Sequence, residues 1–262
     1  MIQQPFIQEW SKKVPWQNFR QVEQDLVITR ALLEIYALPS LRHNLAFRGG
    51  TALNKLYISP PSRYSEDLDF VQIEAEPIGK TITDLRSALD HWLGEPKRTF
   101  SEGRVKLLYR FMSEDNIPLK LKVEINSREH FSVLGFKEVT FASDSSWHSG
   151  TTTIKTYALE EMLGTKMRAL YQRRKGRDLF DLYVVLRQYP RMDIPSIITS
   201  FRKYMEFGST PISKETFLEN MEEKLKRPDF RQDILPLLPL NEQTYNIDHS
   251  FEIVRDKLIL AM

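Results

Sequence analysis

Apolar residues recur along this chain with a helical period at its start and through its second half, and with a strand period in between. Over residues 18–38 the positions of Phe19, Val22, Leu26, Leu33 and Tyr36 form much of one helical stripe, which Pro39 closes. LAFRGG then predicts a short strand ending in a turn, TALNKLY a short helix, and ISPPSRYS a loop fixed by two prolines. SEDLDFVQI alternates as a strand does, and TITDLRSALDHWLG reads as a helix with Thr83 as its cap and Gly94 as its stop. RVKLLYRFM and PLKLKVEIN predict two strands, and FKEV and GTTTIKTY a further pair. From Ala158 onward the period is helical again: ALEEMLGTKMRALYQR, RDLFDLYVVLRQY, the run after Pro195, a segment near 213–226, and SFEIVRDKLILAM. The order predicts an α+β core between about residues 41 and 155, framed by helices, and a helical C-terminal half. Accordingly, residues 1–155 are expected to form one domain with its leading helix and residues 156–262 a helical second one.

Composition changes this picture little. Hydrophobic residues at 41% and charged residues at 27% are ordinary for a chain that folds, which argues against wholesale disorder. A net charge of +2 is too small to identify a nucleic-acid binder, so such a role must rest on local clustering. The absence of cysteine excludes disulfides and thiolate metal sites and is compatible with a reducing, cytoplasmic setting. The start, MIQQPFIQEW, lacks a secretory pattern. LVITRALLEIYAL is broken by Arg30 and Glu34, so no membrane association is expected. The five histidines have no zinc-ligand spacing, and neither G-x-S-x-G nor a Walker A loop occurs. The four tryptophans read as core.

The chemistry concentrates in FRGGTALNKLYISPPSRYSEDLDF, residues 47–70. In a strand, residues i and i+2 share a face, so Asp67 and Asp69 would stand side by side while Leu68 and Phe70 anchor the other face. Adjacent carboxylates repel unless a cation joins them or one is protonated. A hard divalent ion such as Mg²⁺, which takes one or two carboxylates together with substrate phosphates, removes that cost. On PLKLKVEIN the polar face carries Lys120, Lys122, Glu124 and Asn126, and Glu124 would complete a two-metal site were the two strands neighbours. Gly49 and Gly50 allow a tight turn and close approach of a ligand to the backbone. Free N–H groups at the start of the next helix suit a phosphate, and Thr51 would cap that helix or reach a phosphate oxygen. Each signal has an ordinary structural alternative: a solvated edge strand for D-x-D, a capped turn for GGT. Together they supply both halves of a metal–nucleotide site.

FRGGTALNKLY…RYSEDLDF resembles the first two motifs of the AbiEii-type (MenT-like) nucleotidyltransferase toxins, a branch of the DNA polymerase-β nucleotidyltransferase superfamily. TKMRALYQR (165–173) resembles the family's lysine-bearing helix, GRDLFDLY (176–183) its R-D-x-x-D-L motif, and KVEINSRE (122–129) its central strand and exit. The likeness runs in order from about Phe47 to Tyr183. It implies a polymerase-β-like core, a mixed sheet with flanking helices, followed by a helical region that completes the nucleotide site. Gly49, Gly50 and Thr51 would contact the nucleotide phosphates, Asp67 and Asp69 would bind Mg²⁺ with Glu124 as the third acid, Lys166 would reach the triphosphate, and Asp178 would assist nucleotide binding or catalysis. Asp178 also fits a helix cap or an ion pair with Arg177, and Asp181, one turn on, reads as structural. The basic run RRKGR (173–177), extended by Arg168 and Arg63, is a candidate contact for an RNA backbone.

The expected activity is thus transfer of NMP from an NTP to an acceptor hydroxyl with release of pyrophosphate. By resemblance it belongs to the toxin of a toxin–antitoxin or phage-defence system, with the tRNA 3′ end as acceptor and a cognate antitoxin as partner. The alternatives are a small-molecule nucleotidyltransferase of the antibiotic-modifying kind, a kinase-like phosphotransferase, and a non-catalytic RNA- or protein-binding module.

Overall fold

The structure, a computed structural model, describes residues 2–239 and 244–262. They fall into two compact units: residues up to Phe131 together with Phe136–Tyr157, and Ser132–Gly135 together with Ala158–Met262.

In the first unit, α1 (Gln4–Trp10), α2 (Phe19–Ala37) and α3 (Pro39–Asn44) precede β1 (Leu45–Arg48), α4 (Gly49–Leu56), β2 (Asp67–Gln72) and α5 (Gly79–Leu93). The strands β3 (Lys97–Ser101), β4 (Arg104–Met112), β5 (Pro118–Asn126), β6 (Phe136–Asp144) and β7 (Ser149–Tyr157) follow. The seven form one mixed sheet in the order β3-β4-β5-β2-β1-β7-β6. The pairs β1–β7 and β2–β5 run parallel and the other neighbours antiparallel. The α+β class expected from the sequence is what the chain adopts.

Helix α2 is buried on most of its circumference, with Val22, Leu26, Val27, Ile28, Ala31, Leu32 and Ile35 all in the core. That is the state expected of a helix with apolar residues on nearly every side. Phe19, assigned to its apolar stripe, is instead 54% exposed, because it is the first residue of the helix. Pro39 opens a new helix rather than simply closing the old one: it sits in the first turn of α3, where its missing N–H costs nothing. Thr83 is not a cap, since α5 begins at Gly79 and the Thr83 hydroxyl donates back to the Gly79 carbonyl. Gly94, at φ +76°, does end that helix. Strand β3 has no counterpart in the sequence reading: every residue of it is exposed, so no apolar alternation marks it. Nor are all tryptophans core. Trp10 and Trp16 are buried and donate to Asp25, but Trp92 and Trp147 lie half-buried against the Arg30 guanidinium, 4.2 and 4.9 Å from its carbon.

Asp25 also accepts from Lys55 Nζ at 2.7 Å. One buried carboxylate therefore joins α1, the Trp16 segment and α4. Removing either charge of such a pair leaves the other uncompensated.

The second unit is helical: α6 (Leu159–Gln172), α7 (Gly176–Gln188), α8 (Ile194–Phe207), α9 (Lys214–Leu225), α10 (Pro228–Gln232) and α11 (Ile247–Val254), the last continued by a π-helical turn at Arg255–Ile259. Asp193 and Ser213 cap α8 and α9 through their side chains. Lys224 donates to the carbonyls of Leu170 and Tyr171, closing the end of α6. Its burial, with Arg174 nearby, pulls its pKa down to about 8 against the opposing charge of Asp178. Glu161, fully buried on α6, accepts from Ser132 Oγ, the N–H groups of Val133 and Leu134, and Tyr204 Oη, all within 2.9 Å. That carboxylate is what holds the short 132–135 segment in this unit.

Gly164 sets the approach of α6 to α8. A Cβ there would lie 2.7 Å from Ser200 Cβ and 2.8 Å from the Phe201 nitrogen. Gly164→Ala is therefore expected to lower stability by about 1–3 kcal/mol through overpacking, read as a lower urea midpoint; an unchanged midpoint would show that the two helices can part at no cost.

Candidate active site

The site residues of the first unit are assembled by the strand register. Arg48 pairs with Asp69 across β1–β2, and Asp67 and Asp69 pair with Lys122 and Glu124 across β2–β5. Strand β5 is thus the neighbour that the sequence reading required, and Glu124 stands on the same face as the acid pair. Leu68 and Phe70 are buried on the other face, as the alternation predicts.

Directly after β1 the chain turns at Gly49, with φ +83°. A Cβ on Gly49 would lie 2.5 Å from Asp69 Oδ2, so both the backbone angle and the carboxylate demand glycine. Gly50 is equally tight, against the guanidinium of Arg63. Helix α4 starts at Gly49 with Arg48 in the cap position and no side-chain cap. Thr51 is not that cap. It is buried, its hydroxyl donates to the Asp67 carbonyl, and it lies 2.8 Å from Ser65 Oγ. Asn54 holds the proline loop against α4: its amide donates to the Gly50 carbonyl and its oxygen accepts from Ser62. The turn, the loop and β2 are thereby one hydrogen-bonded object.

Charge is managed by neighbours that the sequence reading did not single out as site residues. Lys122 Nζ lies 2.6 Å from Asp67 Oδ2 and 3.8 Å from Glu124. Arg104 pairs with Glu124 at 3.2 Å, and Arg48 with the buried Glu129 at 2.7 Å. Burial of the Asp69 carboxyl, reinforced by Asp67 and Glu124, holds its pKa above the ordinary carboxylate range although Lys122 and Arg48 pull it down. For Lys122, burial favours the neutral amine, but the hydrogen bond and charge of Asp67, with Asp69 and Glu124, outweigh it and raise the pKa. A signal for Lys122 did exist: it alternates with Glu124 on the polar face of β5.

Among the described residues no three His, Cys, Asp or Glu side chains are gathered as if to hold a metal ion. The donor chemistry nevertheless suits a hard cation. Asp67 and Asp69 share a face, Asp67 already holds an ammonium group, and Mg²⁺ needs only one or two carboxylates beside phosphates.

In the second unit, Lys166 on α6 is buried and lies 2.6 Å from Asp181 Oδ2 and 3.2 Å from Asp178 Oδ1. Both aspartates are fully buried on α7. Asp178 falls in the first turn of α7, which Gly176 opens as expected. It pairs not with Arg177 but with Arg173, whose guanidinium donates to both its oxygens. Arg177 and Lys175 face Asp233 instead. The run RRKGR is therefore largely consumed by ion pairs and is no free basic patch. Its proposed extensions are also engaged: Arg168 stacks on Tyr204, with 4.9 Å from its guanidinium carbon to the ring, and Arg63, in the first unit, is buried beside Gly50.

The family model described as nucleotidyl transferase AbiEii toxin, type IV toxin–antitoxin system, matches residues 30–257. The chain belongs to the AbiEii family. It is accordingly a nucleotidyltransferase of a toxin family, with a nucleoside triphosphate as substrate and an antitoxin implied as partner. The AbiEii match extends the resemblance seen in the motifs over nearly the whole chain. Among solved structures, MenT4, a nucleotidyltransferase toxin from Mycobacterium tuberculosis H37Rv, is similar with a TM-score of 0.70 at 16% identity, covering 100% of this chain and 90% of that one. JHP933 from Helicobacter pylori is similar with a TM-score of 0.55 at 16% identity, covering 90% and 88%. At such identities these likenesses concern the fold. No curated protein sequence matches the chain. No described helix is long and apolar enough to cross a membrane.

Two measurements probe this arrangement. Between the pH where an unfolded carboxyl ionises, about 4, and the raised pKa of Asp69, the folded chain holds more protons than the unfolded one, so stability falls as pH rises. Asp69→Asn is thus expected to melt higher than the wild type at neutral pH in metal-free buffer, with the gap closing toward about pH 4; equal melting at both pH values would show that Lys122 and Arg48 fully relieve the charge. Lys166→Met should cost about 3–5 kcal/mol in urea unfolding by stranding buried carboxylates, whereas retained stability would mean that Arg173 alone suffices for them.

Proposed function

We propose that this AbiEii-family chain is a Mg²⁺-dependent toxin that transfers NMP from an NTP to the 3′-terminal hydroxyl of tRNA, within a cytoplasmic toxin–antitoxin or phage-defence system. The observation that supports this most directly is the contact of Gly49 with Asp69: the backbone turn suited to phosphates and the acid pair suited to a cation are adjacent parts of one site. The N–H groups that open α4 would take a phosphate, at a turn where Gly49 and Gly50 let the backbone pack against Asp69 and Arg63. Asp67 and Asp69 would hold the magnesium ion, with Glu124 as a third acid. When bound, that ion supplies positive charge to the phosphates and stabilises the charge that develops during transfer.

The acceptor oxygen forms a bond to the α-phosphorus, the bond to the bridging oxygen of pyrophosphate breaks, and the hydroxyl proton passes to a base. Asp69 or Glu124 would take it. In the second unit, Lys166 and Asp178 take the roles their motifs imply, a point charge for the triphosphate and support of nucleotide binding. The ion pairs with Asp178 and Asp181 fix where the Lys166 ammonium sits.

Incubation with total cellular RNA and NTPs labelled at the α- or γ-phosphorus separates this reading from its rivals. Label from the α-position should enter RNA and map to tRNA 3′ ends on sequencing, and Asp67→Ala should reduce it by at least a hundredfold, in the range typical for loss of a major electrostatic group. Label from the γ-position in RNA would indicate a kinase-like enzyme. Transfer to small hydroxylated compounds alone would indicate the antibiotic-modifying kind, and undiminished growth inhibition by Asp67→Ala a binding module.

A further inference from the structure

The sheet face that carries Asp67 and Asp69 continues past β5. Residues directly opposite one another in neighbouring strands point to the same side. One row therefore runs Asp69, Glu124, Lys106 and Thr99 through β2, β5, β4 and β3, and the next runs Asp67, Lys122, Leu108 and Lys97. Further along β4 and β5, Arg110 faces Lys120. Lys97, Lys106, Arg110 and Lys120 thus share a face with the acid pair, while Val105, Leu107, Tyr109, Phe111, Leu121, Val123 and Ile125 are buried on the other. Lys97, Arg110 and Lys120 are exposed and Lys106 half-buried. Among the described residues none of these four cations has an ion-pair partner, for Arg104 and Lys122 already take Glu124, and Lys122 takes Asp67.

A run of charges is usually no more than a solvated surface. Three observations set this one apart. Its cations are unpaired, whereas those of RRKGR are largely committed. They lie on three adjacent strands spaced about 4.8 Å apart, so they form a surface rather than a line. That surface is also continuous with the carboxylates where an acceptor hydroxyl must arrive. Unpaired like charges fixed together on a rigid sheet repel, and a polyanion that displaces their counterions relieves the repulsion.

We propose that the β3–β5 face is the platform on which the phosphate backbone of an RNA acceptor lies. This rests on the reading of RNA as acceptor given above, and assigns to it a surface that neither the family motifs nor the basic run contains. Lys106, Arg110 and Lys120 act as phosphate contacts and carry no sequence information.

The test is fluorescence anisotropy of fluorescein-labelled bulk tRNA titrated with the full chain between 50 and 200 mM salt, about the range over which phosphate contacts are lost. Lys106→Gln/Arg110→Gln/Lys120→Gln is expected to bind at least tenfold more weakly at low salt. Its plot of log affinity against log salt should be shallower by about 2, since each lost phosphate contact removes roughly 0.7–0.9 of slope. The charge-retaining Lys106→Arg/Arg110→Lys/Lys120→Arg should bind as the wild type does. If circular dichroism shows that the triple variant has lost its fold, Arg110→Gln and Lys120→Gln are read singly, each expected to lose roughly 0.7–0.9 of slope. Wild-type affinity and slope in the glutamine variants would overturn the platform, as would absence of tRNA binding by the wild type or equal binding to anionic phosphatidylglycerol vesicles. Because binding is read without turnover, tRNA binding that depends on these residues but leads to no labelled RNA overturns the acceptor and leaves the platform standing.

Discussion

Two like charges held side by side on β2 are the constraint around which the first unit is arranged. At the spacing of alternate strand residues the repulsion between Asp67 and Asp69 is on the order of 2 kcal/mol at an effective dielectric of about 20, and less where solvent reaches Asp67. Lys122 relieves part of it from the neighbouring strand, and burial together with the charge of Asp67 raises the pKa of Asp69. Every other feature of the site follows from tolerating this pair. The chain must turn with no side chain at Gly49, because Asp69 already fills that space. The turn must be braced, and Thr51, Asn54 and Ser65 brace it. Where the Lys122 ammonium already lies between Asp67 and Glu124, the proposed divalent cation would replace a partner rather than fill an unprepared hollow.

The second unit handles charge in the opposite way. Lys166, Asp178 and Asp181 balance one another out of contact with most solvent, and Arg173 joins them from the exposed side. Such a cluster is costly to desolvate and is weak evidence for stability as such, but it gives the lysine a single position. Lysine is otherwise a flexible point charge. The aspartates of the R-D-x-x-D-L motif therefore act on Lys166 directly, and Asp181 is closer to it than Asp178 is.

Much of this was legible because the residues concerned obey a period. Alternation placed Asp67 with Asp69 and Glu124 with Lys122, and a strand followed by glycine and a helix marked the turn at Gly49. Adjacency of β2 and β5 was not legible, since it depends on topology and not on any local pattern. Strand β3 escaped because none of its residues is buried, so the pattern that reveals strands is missing from it. The same cause hid the cations of β3–β5: each looked like the solvated member of an alternating strand. The run RRKGR misled in the converse sense. Four cations in five residues look like a patch, but Asp178, the very next residue, neutralises Arg173, and Asp233, far along the chain, faces Lys175 and Arg177.

Glu161 ties the excursion of residues 132–135 into the second unit, and the backbone consequently crosses between the units three times, after Phe131, after Gly135 and after Tyr157. Neither unit is a contiguous piece of sequence. A fragment beginning at Ala158 would keep a sealed-in glutamate and leave behind three of the donors that satisfy it. A cut at that point would therefore not follow the boundary of either unit.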